Sequence, residues 1–341
     1  MLIQYPSYGA DDLRYAYCVG RIRVLETRLL TKERLHRMAE ARDADETLKF
    51  LQDTEYGPYL SEIASASQCE LLLDRERRRI LNLFLELSLH PLIDELFLSR
   101  YDFHNLKVLV KSKIVETGFD FALSHLGSIP VEGLKELFSE ERYDKLPQFL
   151  QDGVERAISA YYPKKDPRLI DIAVDKSMFG FHLRTAERVK NLFLIGLIKM
   201  NIDLVNLLTS FRFKWLKETK RFLEETLIDG GYVEGRFLTS VFEEPWENLA
   251  RKFFLTPYLK IVGDGGGYLL ANSSFLRLER LCDDHRIWFM QRTKLLCFGV
   301  EPLIAYLLVK ENEIRSLRMI LVGKLNQIAP ALIKERLPIT F

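Results

Sequence analysis

Two stretches decide the fold: PLIDELFLSRYDFHNLKVLVKSK, from Pro91 to Lys113, and PLIAYLLVKENEIRSLRMILVGK, from Pro302 to Lys324. Pro91, Leu92, Ile93, Leu96, Leu106 and Lys113 recur as Pro302, Leu303, Ile304, Leu307, Leu317 and Lys324, each 211 positions later. Asp102 is matched by Glu313, Phe103 by Ile314 and Lys107 by Arg318. In the first stretch Leu92, Leu96, Phe103, Leu106 and Val110 share one helical face, and a leading proline suits the first turn of a helix. A shorter copy, IDLVNLLTSFRFK, places Asp203, Asn206, Leu207 and Lys214 101 positions after Asp102, Asn105, Leu106 and Lys113.

A second kind of block alternates with these helices. TKERLHRMAEARDADETLKFL begins at Thr31, VEGLKELFSEERYDKLPQFL at Val131 and VEGRFLTSVFEEPWENLARKFF at Val233. Each holds two short amphipathic stretches. Runs with β-type alternation are nearly absent, so the fold class is all-α. One unit used three times predicts three similar helical domains of about 100 residues, at 1–98, 99–200 and 201–341. Three such units can stack, or close about an axis into a pseudo-three-fold arrangement, and in the closed form the C-terminal helix returns to the N-terminal one.

The chain has 341 residues, 48% of them hydrophobic, and a net charge of +1. That balance gives no reason to expect nucleic acid or an anionic membrane as the main partner. Cys18, Cys69, Cys282 and Cys297 are scattered without a C-x-x-C pair, as in small buried hydrophobes of a reducing compartment. MLIQYPSYGADDLRY lacks the pattern of a secretory signal. The apolar window from Asn191 to Leu208 contains Lys199 and Asp203, and that from Lys294 to Val309 contains Glu301, so neither reads as a membrane span. A soluble, cytoplasmic protein is expected.

No motif supplies chemistry. The glycine-rich VGDGGGYLL lacks the Lys-Ser/Thr of a phosphate loop and reads as a flexible loop. Asp283, Asp284 and His285 in CDDHR are helix neighbours that point apart, which suits a solvated surface better than a metal site. His104 reads as a polar contact at a helix–helix seam. Near the N-terminus, Leu13, Tyr17, Val24, Leu25 and Leu29 fall close to a 3.6-residue period, and Gly20 among them suggests a close helix contact. Arg75, Arg77, Arg78 and Arg79 crowd one helix. They read as a solvated face paired with nearby carboxylates, and they are the candidate partner interface. No catalytic, cofactor-binding or metal-binding residue is identified, and the isolated chain is expected neither to bind nor to hydrolyse ATP.

YAYCVGRIRVLETRLLTKERLHRM, YDFHNLKVLVKSK and EPLIAYLLVKENEIRSLRMILVGKLN together resemble the C subunit of archaeal and bacterial V-type (A/V-type) ATPases, whose eukaryotic relative is the d subunit. The resemblance covers essentially the whole chain, and the third stretch is its most specific part. It implies an all-α funnel of three similar domains with no catalytic site. It also implies a peripheral place on the cytoplasmic face of the membrane, where the funnel sits on the proteolipid ring and receives the central-stalk D and F subunits. Torque would pass through it between ATP turnover and ion transport. Neither nucleic acid nor a small-molecule substrate is implied. From the residues alone, a helical-repeat scaffold for soluble partners stands as the alternative; an enzyme with a site assembled from distant residues is a third reading.

Overall fold

The computed structural model describes residues 2–8, 12–115 and 117–341. Among these residues there are sixteen α-helices and no strand. The first four are α1 (Ala16–Glu26), α2 (Lys32–Glu40), α3 (Ala44–Lys49) and α4 (Cys69–Leu87). Then come α5 (Pro91–Val115), α6 (Val131–Ser139), α7 (Gln148–Lys164), α8 (Arg168–Val189) and α9 (Leu192–Trp215). Short helices α10 (Lys220–Thr226), α11 (Gly235–Val241), α12 (Trp246–Lys252) and α13 (Gly266–Asn272) follow. The chain ends in α14 (Leu276–Gln291), α15 (Glu301–Leu325) and α16 (Pro330–Arg336). The chain is all-α, as its periodicity predicts.

Local chemistry sets several boundaries. The side chains of Thr31, Asp43, Asn191 and Thr219 each accept the backbone N–H three residues on, satisfying a donor that the first turn leaves unpaired. Pro302 and Pro330 sit in first turns, where the missing N–H is not needed.

The chain divides into two compact units, Met1–Ser88 with Glu244–Phe341, and Leu89–Glu243. In the first, α15 is the central helix, and α1, α2, α3, α4 and α14 pack round it. Leu303, Ile304, Tyr306, Leu307, Ile314, Leu317 and Ile320 are at most 1% exposed, which explains why this helix is apolar on nearly every side. In the second, α5 lies against α7 and α8, and Phe103, Leu106, Val110, Leu134, Phe138, Leu150, Val154, Ile170 and Val174 form its core. Helix α9 is long and apolar enough to cross a membrane, but Phe193, Leu194, Leu197, Ile198, Met200, Ile202 and Leu204 are buried in protein contacts.

Three local expectations are corrected. The glycine-rich stretch is helical: a π-helical turn over Ile261–Gly265 runs straight into α13. Gly265 serves close packing, since a Cβ on it would lie 2.6 Å from Cδ1 of Leu278, whereas Gly267 has open space around it. Near the N-terminus the buried stripe is Tyr15, Cys18, Val19 and Ile22, while Leu13, Tyr17 and Val24 are largely exposed. Two apolar faces interleave in so short a helix, and periodicity alone chose the wrong one. Gly20 marks no close contact, because a Cβ there would meet no atom within 4 Å.

Candidate functional site

Buried acids and amides of the recurring helices hold the loops that lead into the short-helix blocks. In α5, Asp102 is fully buried. The backbone N–H of Ser128 donates to its Oδ2 at 3.1 Å and that of Ile129 to its Oδ1 at 3.2 Å, two residues ahead of α6. The Ser128 hydroxyl adds a third bond at 2.6 Å. Burial nevertheless raises the Asp102 pKa above its ordinary value, outweighing those three bonds. Asn105, one turn on, makes a two-way bond with the backbone of Ser124. In α9, Asp203 accepts from Tyr232 N–H and Val233 N–H at 3.1 and 2.9 Å, and Asn206 makes the same two-way bond with Ile228. Each pair satisfies the backbone of a loop that would otherwise bury unpaired groups.

The lysines that end the three copies share a second task. Lys214 donates to the carbonyl of Phe242, the residue that caps α11, and Lys324 to that of Ala41, which caps α2. Each places a cation where unpaired carbonyls and the helix dipole concentrate negative charge. Lys113 reaches the same end of α6 but donates to the carboxylate of Glu141 instead.

In α15 the acid is one methylene longer, and its block is the one at the start of the chain. Glu313 Oε2 accepts the Leu30 N–H at 2.6 Å, just ahead of α2. Its Oε1 accepts from the Tyr56 hydroxyl at 2.8 Å and from Lys310 at 2.5 Å. Lys310 is 1% exposed, lies 3.0 Å from Glu76 of α4 and sits over the Tyr56 ring. Burial opposes its charge, yet Glu313 and Glu76 outweigh burial and hold its pKa above the ordinary value. Arg79 grips Glu76 through two bonds of 2.7 and 2.8 Å, and Glu55 lies 3.4 Å from Arg79.

The arginine run therefore divides. Arg79 belongs to this buried network. Arg75 pairs with Glu62 and Arg78 with Asp74, and Arg77 lies 4.0 Å from Asp74. Arg75 is the most exposed, its side chain 59% accessible. The CDDHR stretch departs from the expected solvated surface: Asp283 is 4% exposed and binds Arg286, Arg315 and Arg336. His285 lies 2.7 Å from the Tyr5 hydroxyl beneath the N-terminal segment. His104 is exposed and bonds the carbonyl of Ala122, a loop contact in place of the expected helix seam.

No three His, Cys, Asp or Glu residues among the described ones could hold a metal ion together. Burial pushes the Cys18 and Cys282 thiols up to about 11 and 12, which makes them inert rather than nucleophilic. Gly127 and Gly231 belong to the loop clamps but were missed in the sequence. The signal was present as a glycine shortly before each Val-Glu-Gly that opens a block.

The family model described as ATP synthase (C/AC39) subunit matches residues 18–336. The C subunit of the V-type sodium ATPase of Enterococcus hirae is 27% identical over 317 residues, covering 93% of this chain and 95% of that protein. The C subunit of the A-type ATP synthase of Methanosarcina acetivorans is 25% identical, covering 97% and 96%. That of Thermococcus onnurineus is 26% identical, covering 94% and 89%.

Proposed function

This chain belongs to the ATP synthase (C/AC39) subunit family, and we propose that it is the non-catalytic socket of a V-type ATPase or ATP synthase rotor. It is a subunit of such a complex and so part of a membrane-associated assembly. In this reading it sits on the cytoplasmic face of the proteolipid ring, receives the central-stalk D and F subunits, and carries torque between them. The observation that carries the reading is the clamp used three times, on α5, α9 and α15. A part that transmits torque needs stiffness and two complementary surfaces, without a group that moves protons. Buried carboxylates that fix each loop to a long helix supply that stiffness. We extend the reading to three wedge-like domains, at 1–98, 99–200 and 201–341, arranged as a pseudo-three-fold funnel.

The partner contact we propose is the run Arg75, Arg77, Arg78 and Arg79, with Arg75 and Arg78 reaching furthest into solvent. The test is a binding assay with a detergent-solubilised proteolipid ring and the D–F stalk. The purified chain is expected to hold both at once. Failure to bind either sinks the rotor reading, and binding of soluble chains alone favours a scaffold. Charge reversal at Arg75, Arg77 and Arg78 is expected to weaken one contact selectively. Arg79 is left intact in that variant, because reversing it breaks the buried network. Calorimetry is expected to find no stoichiometric binding of ATP.

A further inference from the structure

The three recurring lysines do equivalent work in unequal surroundings. Lys214 and Lys324 end on main-chain carbonyls, which cannot leave. Lys113 ends on a side chain that can: Glu141 is 69% exposed in its side chain and stands at φ 58°, a left-handed position that glycine or asparagine usually fills. Lys165, at the end of α7, is also left-handed at φ 50°. Both residues line one cleft of about 410 Å³ between α5, α6 and α7, walled by Phe138, Tyr143, Tyr161 and Tyr162. A second hollow of about 320 Å³ adjoins it, sharing Lys113 and Phe138 and continuing past Leu109 and Gly118.

The two hollows meet at Lys113 and Phe138 and form one groove. Its walls are aromatic and aliphatic. Its charged lining residues are Lys113, Lys165 and Glu141, and Lys165 makes no ion pair among the described residues. Swing Glu141 aside and two cations face an apolar trough. We propose that this groove receives an acidic segment of a protein partner, whose carboxylate takes the place of Glu141 on Lys113 while a neighbouring aromatic or aliphatic side chain enters between Phe138, Tyr143 and Tyr161. Tyrosines suit this role because each offers a broad apolar face and a polar rim at low entropic cost. Tyr162, 64% exposed, extends the wall into solvent. Glu141 is then an internal placeholder that keeps Lys113 neutralised until the partner arrives. This inference does not depend on which member of the complex supplies the segment.

The probe is a fluorescein-labelled hexapeptide, Gly-Ser-Phe-Glu-Gly-Ser, titrated with the full chain and followed by anisotropy. Glu141→Gln is expected to tighten binding by about fivefold, the upper range for an exposed ion pair, because the competitor is removed. Lys113→Met is expected to abolish binding. Lys165→Met, at an exposed site whose side chain makes no ion pair among the described residues, is expected to weaken it about threefold and stands in if Lys113→Met does not fold. A peptide with glutamine for glutamate, or glycine for phenylalanine, is expected to bind none of the variants. Glu141→Gln that binds no better than wild type overturns the proposal. So does undiminished binding by folded Lys113→Met or by Lys165→Met, or by the phenylalanine-free peptide.

Discussion

Asp102 and Asp203 stand 101 positions apart and perform the same act with the same atoms. In each, Oδ2 accepts the first and Oδ1 the second of two consecutive backbone N–H groups, from Ser128 and Ile129 or from Tyr232 and Val233. The residue before each donor pair is a glycine, Gly127 or Gly231. A Cβ on either would lie 2.2 or 2.1 Å from Oδ1 of its aspartate.

Gly127→Ala and Gly231→Ala are therefore expected to destabilise the fold by about 1–3 kcal/mol each, because the loop must back away from its anchor. Gly20→Ala is the control. It lies in a helix with open space around it, so it is expected to be neutral or to stabilise by up to about 1 kcal/mol. Urea unfolding of the three variants checks the contrast.

Lys310→Met removes the cation that Glu76 and Glu313 share and leaves a buried carboxylate without its partner. The expected loss is about 3 kcal/mol, the low end for a broken buried pair, because Arg79 still neutralises Glu76. In hydrogen exchange, peptides covering residues 28–60 are expected to open more than those of 89–243. Equal change in both regions sinks the assignment.

Lys214→Met and Lys324→Met are expected to lower stability by about 0.5–2 kcal/mol, through the loss of a cation at the carboxyl ends of α11 and α2. Lys113→Met is expected to cost less than either, since its partner Glu141 is exposed. Denaturant midpoints of the three variants rank them.

His182 gives a pH dependence with a definite sign. The Ser99 hydroxyl donates to the Leu96 carbonyl at 2.9 Å, so it accepts the Nε2–H of His182 at 3.1 Å and fixes that tautomer. Burial, with a smaller effect of Arg100, lowers the imidazole to about 3; burial and Arg286 lower His285 to about 4. Both stay neutral in the fold while the unfolded chain protonates near 6.5. Stability is then complete above about pH 6.5 and falls on acidification toward pH 4, by at most about 1.4 kcal/mol per unit for each histidine. His182→Gln is expected to flatten that slope between pH 6.5 and 4.5, measured by urea unfolding.

What the sequence determined by itself is what is written in neighbouring residues. Helical class follows from apolar spacing within one or two turns, and the recurrence of Asp102, Asn105 and Lys113 in later copies is visible by alignment of the chain with itself. The pairing of Arg78 with Asp74 is legible because both lie on one helix. The tertiary structure decided what those recurring residues hold. Ser128 lies 26 positions from Asp102, and Leu30 lies 283 from Glu313, so no local pattern joins them. It also decided that α1 buries Cys18 and Ile22 rather than Tyr17 and Val24, that Gly265 is a packing residue in a helix, and that Asp283 is buried among three arginines. Periodicity states that a face is apolar, but only the neighbour that docks there determines which face loses its water.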